Sequence, residues 1–292
     1  MQIFLLYAAV VLIWGSTWSA IPFQLGVVAV EVSVAYRFGL AAIVLYLYAI
    51  VSRRQLRLPA GTYPFVFVQG TLLFCINYFL VYYGTAYLTS GVVAVLFSSI
   101  LVLNAIFERL FFGKRIEARF WIAALIGISG ISLIFWSEIA NVGLSDQSIY
   151  GGLLVLFSTL IASLGNMAAV VNTNKGLPVV AVNAHAMAFA TMLALTISAA
   201  LGREFNFLLR ADYIVSLLYL AVFGSAVAFG CYLALLRRIG ASRAAYSTVL
   251  FPIVALLIST FLEGYRWTIL AIVGMLLTLV GNWLILSQRK NN

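Results

Sequence analysis

The chain has 292 residues, of which 64% are hydrophobic and only 9% charged. A water-soluble domain runs near ~45–50% apolar and about 25% charged, so a soluble enzyme, a disordered protein and a nucleic-acid-binding module are excluded and an all-α polytopic membrane protein is expected. The net charge of +9, from 17 Lys and Arg against 8 Asp and Glu, sits in short connectors and has a topological explanation.

A spanning helix needs about 20 largely apolar residues, and ten segments meet that length. The first, 3–23, has no basic flank and is too long for a signal core, so it reads as a retained span. Gly15-Ser16-Thr17 lies midway along it, between Trp14 and Trp18. The second, 31–51, carries Arg37 about six residues from its outer end, or ~9 Å deep. An intramembrane cation is a functional-site hypothesis by default, here as a bidentate partner for a substrate carboxylate, against snorkelling or internal pairing. The third, 63–83, places Asn77, Phe74 and Gly70 on one face and Tyr78 with Tyr82 on the next. The fourth, 88–112, offers Ser98 and Ser99; the fifth, 119–137, has Ala123 and Gly127 four apart.

In the sixth, 150–173, Gly165-Asn166 reads as an interruption, and the seventh, 179–200, holds His185, the single histidine, as a proton relay or a packing element. The eighth, 212–236, supplies Tyr232. The ninth, 241–262, supplies Tyr246 and Thr248 ahead of Pro252, which is expected to break the helix and free the Thr248 carbonyl. The tenth, 267–286, has Gly274 and Thr278 at the places that match the small residues of the fifth, a spacing that permits close backbone approach between repeats or between two copies of the chain. Breaks at membrane depth are tolerated where they face protein or a wet cavity, so Gly15, Gly165 and Pro252 are candidate hinges.

Loop charge sets orientation. With the N-terminus inside, twelve Lys and Arg fall in inner connectors and the tail and three in outer ones, which predicts both termini in the cytoplasm. Shifting residues 85–135 by 151 positions lays them on 236–286 without a gap, with seven identities that include Gly113 on Gly264 and Arg115 on Arg266. The shift spans five helices, an odd number, so the second copy is expected upside down. This gives a 5+5 inverted repeat, with 1–147 as the first unit and 148–292 as the second, an architecture of secondary transporters.

Ten spans, this repeat, Trp14-Gly15-Ser16 and the FFGKRI turn from Phe111 to Ile116, followed by Gly127 and Gly130, resemble the EamA family of the drug/metabolite transporter superfamily. The resemblance implies a multi-pass transporter of the bacterial inner membrane, most like amino-acid exporters of the aromatic type. The family's usual proline in the fourth and ninth spans is present only as Pro252, with Leu101 at its counterpart.

No phosphate-loop motif and no HExxH or GxSxG is present, so neither nucleotide-driven transport nor hydrolysis by this chain is expected. Cys75 and Cys231 lie in apolar runs without CxxC spacing, so no metal, disulfide or cofactor is expected. The acidic residues fall in connectors or near helix ends, which argues against a midplane carboxylate exchanging protons for cations. The candidate substrate site is therefore Trp14, Ser16, Trp18, Asn77, Tyr78, Tyr82, Ser99, Asn166, His185, Tyr232, Tyr246 and Thr248, with Arg37 as the fixed charge. The expected partners are a small-molecule substrate and the bilayer, with no nucleic acid, and a homodimer through the fifth and tenth spans. Alternatives on the same scaffold are a cationic drug, a purine or a nucleotide sugar, or a receptor that binds without transport.

Overall fold

The structure, a computed structural model, describes residues 2–17, 20–88, 90–141, 146–262 and 267–286. Among these the backbone is helical, with no strand. Six helices are long and apolar enough to cross a membrane, and three shorter apolar ones accompany them. We label the rods α1 (Gln2–Thr17), α2 (Val30–Val51), α3 (Ala60–Thr85), α4 (90–112), α5 (Ala118–Ile134), α6 (Asp146–Asn174), α7 (Val179–Ala200), α8 (Ala211–Ile239), α9 (241–262) and α10 (Ile269–Leu286).

The bounds of α2 and α7 agree closely with the predicted spans. Others differ for identifiable reasons. The 3–23 segment is not one helix. Among the described residues α1 runs to Thr17, so Gly15-Ser16-Thr17 is its last described turn, and a 3₁₀ turn at Ile21–Gln24 with Pro22 in its first positions replaces α-helix further along the predicted span. The Ser16 and Thr17 hydroxyls turn back onto the carbonyls of Leu12, Ile13 and Trp14. α5 stops at Ile134, and a short helix, Trp136–Asn141, follows it.

Two rods contain π-helical segments, Gly70–Ile76 in α3 and Leu220–Val227 in α8. Such bulges admit an extra residue into the turn and recur at functional sites. Two others are bent without continuous α geometry: α4 turns at Ser98-Ser99, and α9 passes through 3₁₀ at Tyr246–Leu250. The 151-position shift read from the sequence carries Gly70–Ile76 onto 221–227 and Ser98-Ser99 onto 249–250.

Pro252 does not break α9 as expected. It is the second residue of the α-helical stretch Phe251–Leu262, a first-turn position where its missing N–H costs nothing. The Thr248 carbonyl is not free either, because it accepts the Phe251 N–H. The bend precedes the proline, and α4 bends at the matching place with Leu101 there.

Gly165 does not interrupt α6, which runs continuously from Asp146 to Asn174. It serves close approach instead: a Cβ there would lie about 3.0 Å from the Leu73 backbone in α3. Gly70 plays the same part against α7, where a Cβ would meet the Ala186 carbonyl oxygen at 2.2 Å. Two glycines thus let α3 sit between α6 and α7.

The small residues of α5 and α10 meet one another within the chain. A Cβ on Gly130 would reach the Gly274 oxygen and the Thr278 nitrogen at 2.7 Å, and one on Gly281 the Ala123 oxygen at 3.0 Å. Their opposite faces expose Trp121, Leu125, Leu276 and Trp283, as a lipid-facing pair would.

Candidate functional site

A cleft of about 700 Å³, counting its open mouth, lies among α1, α2, α3, α4, α6, α8 and α9. Its wall is built from Trp14 and Thr17 of α1, Ile21, Arg37 of α2, Leu73, Asn77, Tyr78 and Val81 of α3, Phe97 and Ile100 of α4, Ala162 and Asn166 of α6, Phe229 and Tyr232 of α8, and Thr248 and Phe251 of α9. The helices that carry irregular backbone supply much of this lining.

Among the described residues Arg37 is the one charged residue in the wall, and it is 2% exposed. Nε donates to Ser225 Oγ at 2.9 Å, and Nη1 donates to the Tyr82 hydroxyl at 3.2 Å. The guanidinium carbon lies 4.7 Å from the Tyr78 ring centroid and 5.5 Å from that of Phe38, within cation–π range. Gly224 leaves room for this: a Cβ there would stand 3.3 Å from Nη2. Among the described residues Arg37 has no carboxylate partner. A guanidinium carries five N–H donors, so one on Nη1 and both on Nη2 have no acceptor among the described residues. The planar fork matches a carboxylate.

Around it stands an aromatic slot. Trp14 meets Phe229 edge-on at 4.7 Å, Tyr232 at 5.1 Å and Phe251 at 5.6 Å, and its Nε1 donates to the Gly224 carbonyl at 2.9 Å. Phe74 meets Phe229 at 4.7 Å, and Tyr78 meets Phe38 at 4.7 Å. Offset and edge-on contacts at these separations hold rings in fixed orientations.

Two buried amides complete the wall. Asn77 donates to the Leu73 carbonyl at 3.2 Å and accepts from Ser158 Oγ at 2.7 Å. Asn166 Nδ2 donates to Asn104 Oδ1 at 3.4 Å, and Ser163 Oγ donates to the same oxygen at 2.7 Å. Asn166 Oδ1 is buried without a partner.

Of the residues expected at the site, the structure brings Trp14, Arg37, Asn77, Tyr78, Asn166, Tyr232 and Thr248 to one cavity. Tyr82 stands behind it and holds Arg37. Four expected residues lie elsewhere. Ser16 bonds to the Tyr219 hydroxyl at 2.5 Å. Ser99 bonds back to the Leu96 carbonyl at 2.7 Å, in the α4 turn. Tyr246 is fully buried against α5, its hydroxyl donating to the Ala123 carbonyl, because the 3₁₀ turn directs it away from the slot. His185 bonds to the Ala181 carbonyl at 2.8 Å through Nδ1 and sits between Tyr46 and Tyr63, with ring centroids 5.4 and 5.5 Å away. None of these partners is among the residues that line the cleft. Trp18 lies outside the described residues, as does the side chain of Pro252.

Sequence reasoning missed Phe229 and Phe251, whose aromatic neighbours give no local signal. It also missed the buried carboxylate at one end of α4. Glu108 accepts the Ala241 and Ser242 N–H groups at 3.0 and 2.9 Å, together with the Ser242 hydroxyl and the Lys114 ammonium. One turn earlier, Asn104 Nδ2 donates to the Ala241 carbonyl at 3.4 Å. Two side chains of α4 thereby grip the start of α9. On the other side, Glu31 accepts from the Tyr83 hydroxyl at 2.6 Å and pairs with Arg203 at 3.3 Å. That carboxylate raises the Arg203 guanidinium above its ordinary value.

The sequence matches the EamA-like transporter family over residues 1–136 and again over 149–287. The chain belongs to this family. Proteins similar to it include Protein PagO of Salmonella typhimurium, 25% identical, with 99% of this chain and 96% of PagO covered. Another is the uncharacterized inner membrane transporter YedA of Escherichia coli K12, 25% identical, with 93% and 88% covered. A solved crystal structure shares the fold with a TM-score of 0.79 at 16% identity, covering 99% of this chain and 98% of that one. The protein is therefore a multi-pass membrane transporter of the EamA type.

Proposed function

We propose that this EamA-like transporter exports small carboxylate-bearing metabolites, amino acids foremost and aromatic ones favoured, across the bacterial inner membrane by alternating access. Ten spans form two inverted five-helix units, 1–147 and 148–292, with both termini in the cytoplasm. The loop-charge bias supports the orientation. The π segments and bends that recur at a 151-residue offset support the repeat.

One observation carries the substrate reading: a buried guanidinium without a carboxylate partner in the wall of an aromatic slot. Leaving a cation desolvated and unpaired costs several kcal/mol. A substrate carboxylate offsets that cost, and the rings take an apolar side chain. A cationic drug calls for a carboxylate in the wall, and none lies among the lining residues. A nucleotide sugar calls for several cations, and the wall has Arg37 alone. With no acid in the wall, facilitated export or exchange ranks ahead of proton coupling.

The test is counterflow of labelled aromatic amino acids in proteoliposomes. Saturable uptake that is lost in Arg37→Gln supports the reading. Binding without flux, or full flux in Arg37→Gln, contradicts it.

A further inference from the structure

We propose that the cavity has a second pole, Asn166 Oδ1, which accepts a hydrogen bond from the far end of an elongated aromatic acid. The site then favours rings that carry a donor, a phenol or an indole, over plain phenyl. This rests on the reading that a substrate carboxylate sits on Arg37.

The orientation of the Asn166 amide follows from a chain of fixed partners. The Ala241 carbonyl can only accept, so Asn104 must present Nδ2 to it. Asn104 Oδ1 then faces Ser163 Oγ and Asn166. Asn166 must in turn present its own Nδ2, which leaves Oδ1 over. That oxygen belongs to a residue 1% exposed in the cavity wall, and no protein donor reaches it. A buried acceptor left empty is an expensive feature to keep, and a ligand donor satisfies it.

The spacing of the two poles selects the ligand's length. Arg37 meets α8 at Gly224 and Ser225, whereas Asn166 neighbours Tyr232, seven residues further along that helix. At 1.5 Å per residue the poles lie about 10 Å apart along the axis. α3 gives the same order: the guanidinium lies over Tyr78, while Gly165 beside Asn166 packs on Leu73. An α-ammonium is too close to its own carboxylate to reach across this gap. The carboxylate and phenol oxygens of tyrosine stand about 8 Å apart, and a hydrogen bond of about 3 Å at each end lets the molecule bridge groups up to roughly 13 Å apart, enough for the ~10 Å along the axis with a sideways offset. The slot between the poles is walled by Trp14, Phe229 and Tyr78, which suits a ring.

The experiment is competition against labelled L-tyrosine counterflow in proteoliposomes, with unlabelled L-tyrosine, L-phenylalanine and O-methyl-L-tyrosine, the last keeping size but losing the donor. Unlabelled tyrosine is expected to compete about tenfold better than either analogue, the scale of one hydrogen bond to a buried acceptor. In Asn166→Leu that ratio is expected to fall to near unity. Equal competition by all three in the wild type overturns the proposal, as does an unchanged ratio in Asn166→Leu. The wild-type series needs no variant, so a folding defect in Asn166→Leu leaves the test standing. Full tyrosine flux in Arg37→Gln, or no flux in the wild type, overturns the carboxylate reading itself. Loss of flux in Arg37→Gln alongside equal competition in the wild type overturns the second pole alone.

Discussion

Arg37 is held by geometry that a lysine cannot reproduce. Its Nε reaches Ser225, its Nη1 reaches Tyr82, and its plane lies over Tyr78. A lysine supplies one compact ammonium without the fork. Arg37→Lys is therefore expected to retain the fold and lose transport by roughly 10–100-fold, the range of a charged hydrogen bond, measured as kcat/KM in proteoliposomes. Near wild-type kinetics in Arg37→Lys would remove the bidentate role. His185 leads to the opposite expectation. With Nδ1 on the Ala181 carbonyl and tyrosine rings on both sides, it stands apart from the residues that line the cavity. His185→Gln should leave the pH profile of transport unchanged, and a shifted profile would restore the relay. The sequence made the polar residues of the slot visible because an amide or cation in an apolar run is costly unless it faces protein. It could not separate Tyr232, which lines the cavity, from Tyr246, which pegs α5, since both are aromatic residues at similar depth.

At the scale of the helix, the close approaches matter most. Gly70 and Gly165 hold α3 against α7 and α6 with no room for a side chain. Gly70→Val must push the Ala186 backbone away and is expected to cost about 1–3 kcal/mol, seen as a lowered melting temperature in detergent. An unchanged melting temperature would contradict this packing. The grip of α4 on α9 is a second element-scale device. Glu108→Gln removes the charge that holds the Ala241 and Ser242 amides and Lys114, so the end of the cleft near α9 is expected to open more often. Thiol labelling of a cysteine placed at Ala105 in that region reports it, and labelling no faster than in the parent would refute the latch. The sequence revealed the apolar spans through length and hydropathy, but the π segments were not legible. Gly70–Ile76 and Leu220–Val227 look like ordinary apolar helix, and the extra residue per turn is decided by the neighbours each packs against. Proline and glycine misled for the same reason. Pro252 starts a helix after a bend made elsewhere, and Gly165 is small for contact, not for flexibility.

In the whole molecule, both halves of the chain build the cavity through which transport is proposed. Arg37, Tyr78 and Asn77 come from the first half, and Asn166, Phe229, Tyr232 and Thr248 from the second. The small residues of α5 and α10 are already engaged with each other. In the proposed alternating access, movement is expected in the bent and π-containing rods that line the slot. The most direct test places a single cysteine in the wall, Ala162→Cys, in a background with Cys75 and Cys231 replaced by alanine. Labelling by a small membrane-impermeant thiol reagent is expected, slowed in proportion to occupancy by an aromatic amino acid. A wall cysteine that never reacts, or one that reacts at the same rate with saturating amino acid present, would contradict it.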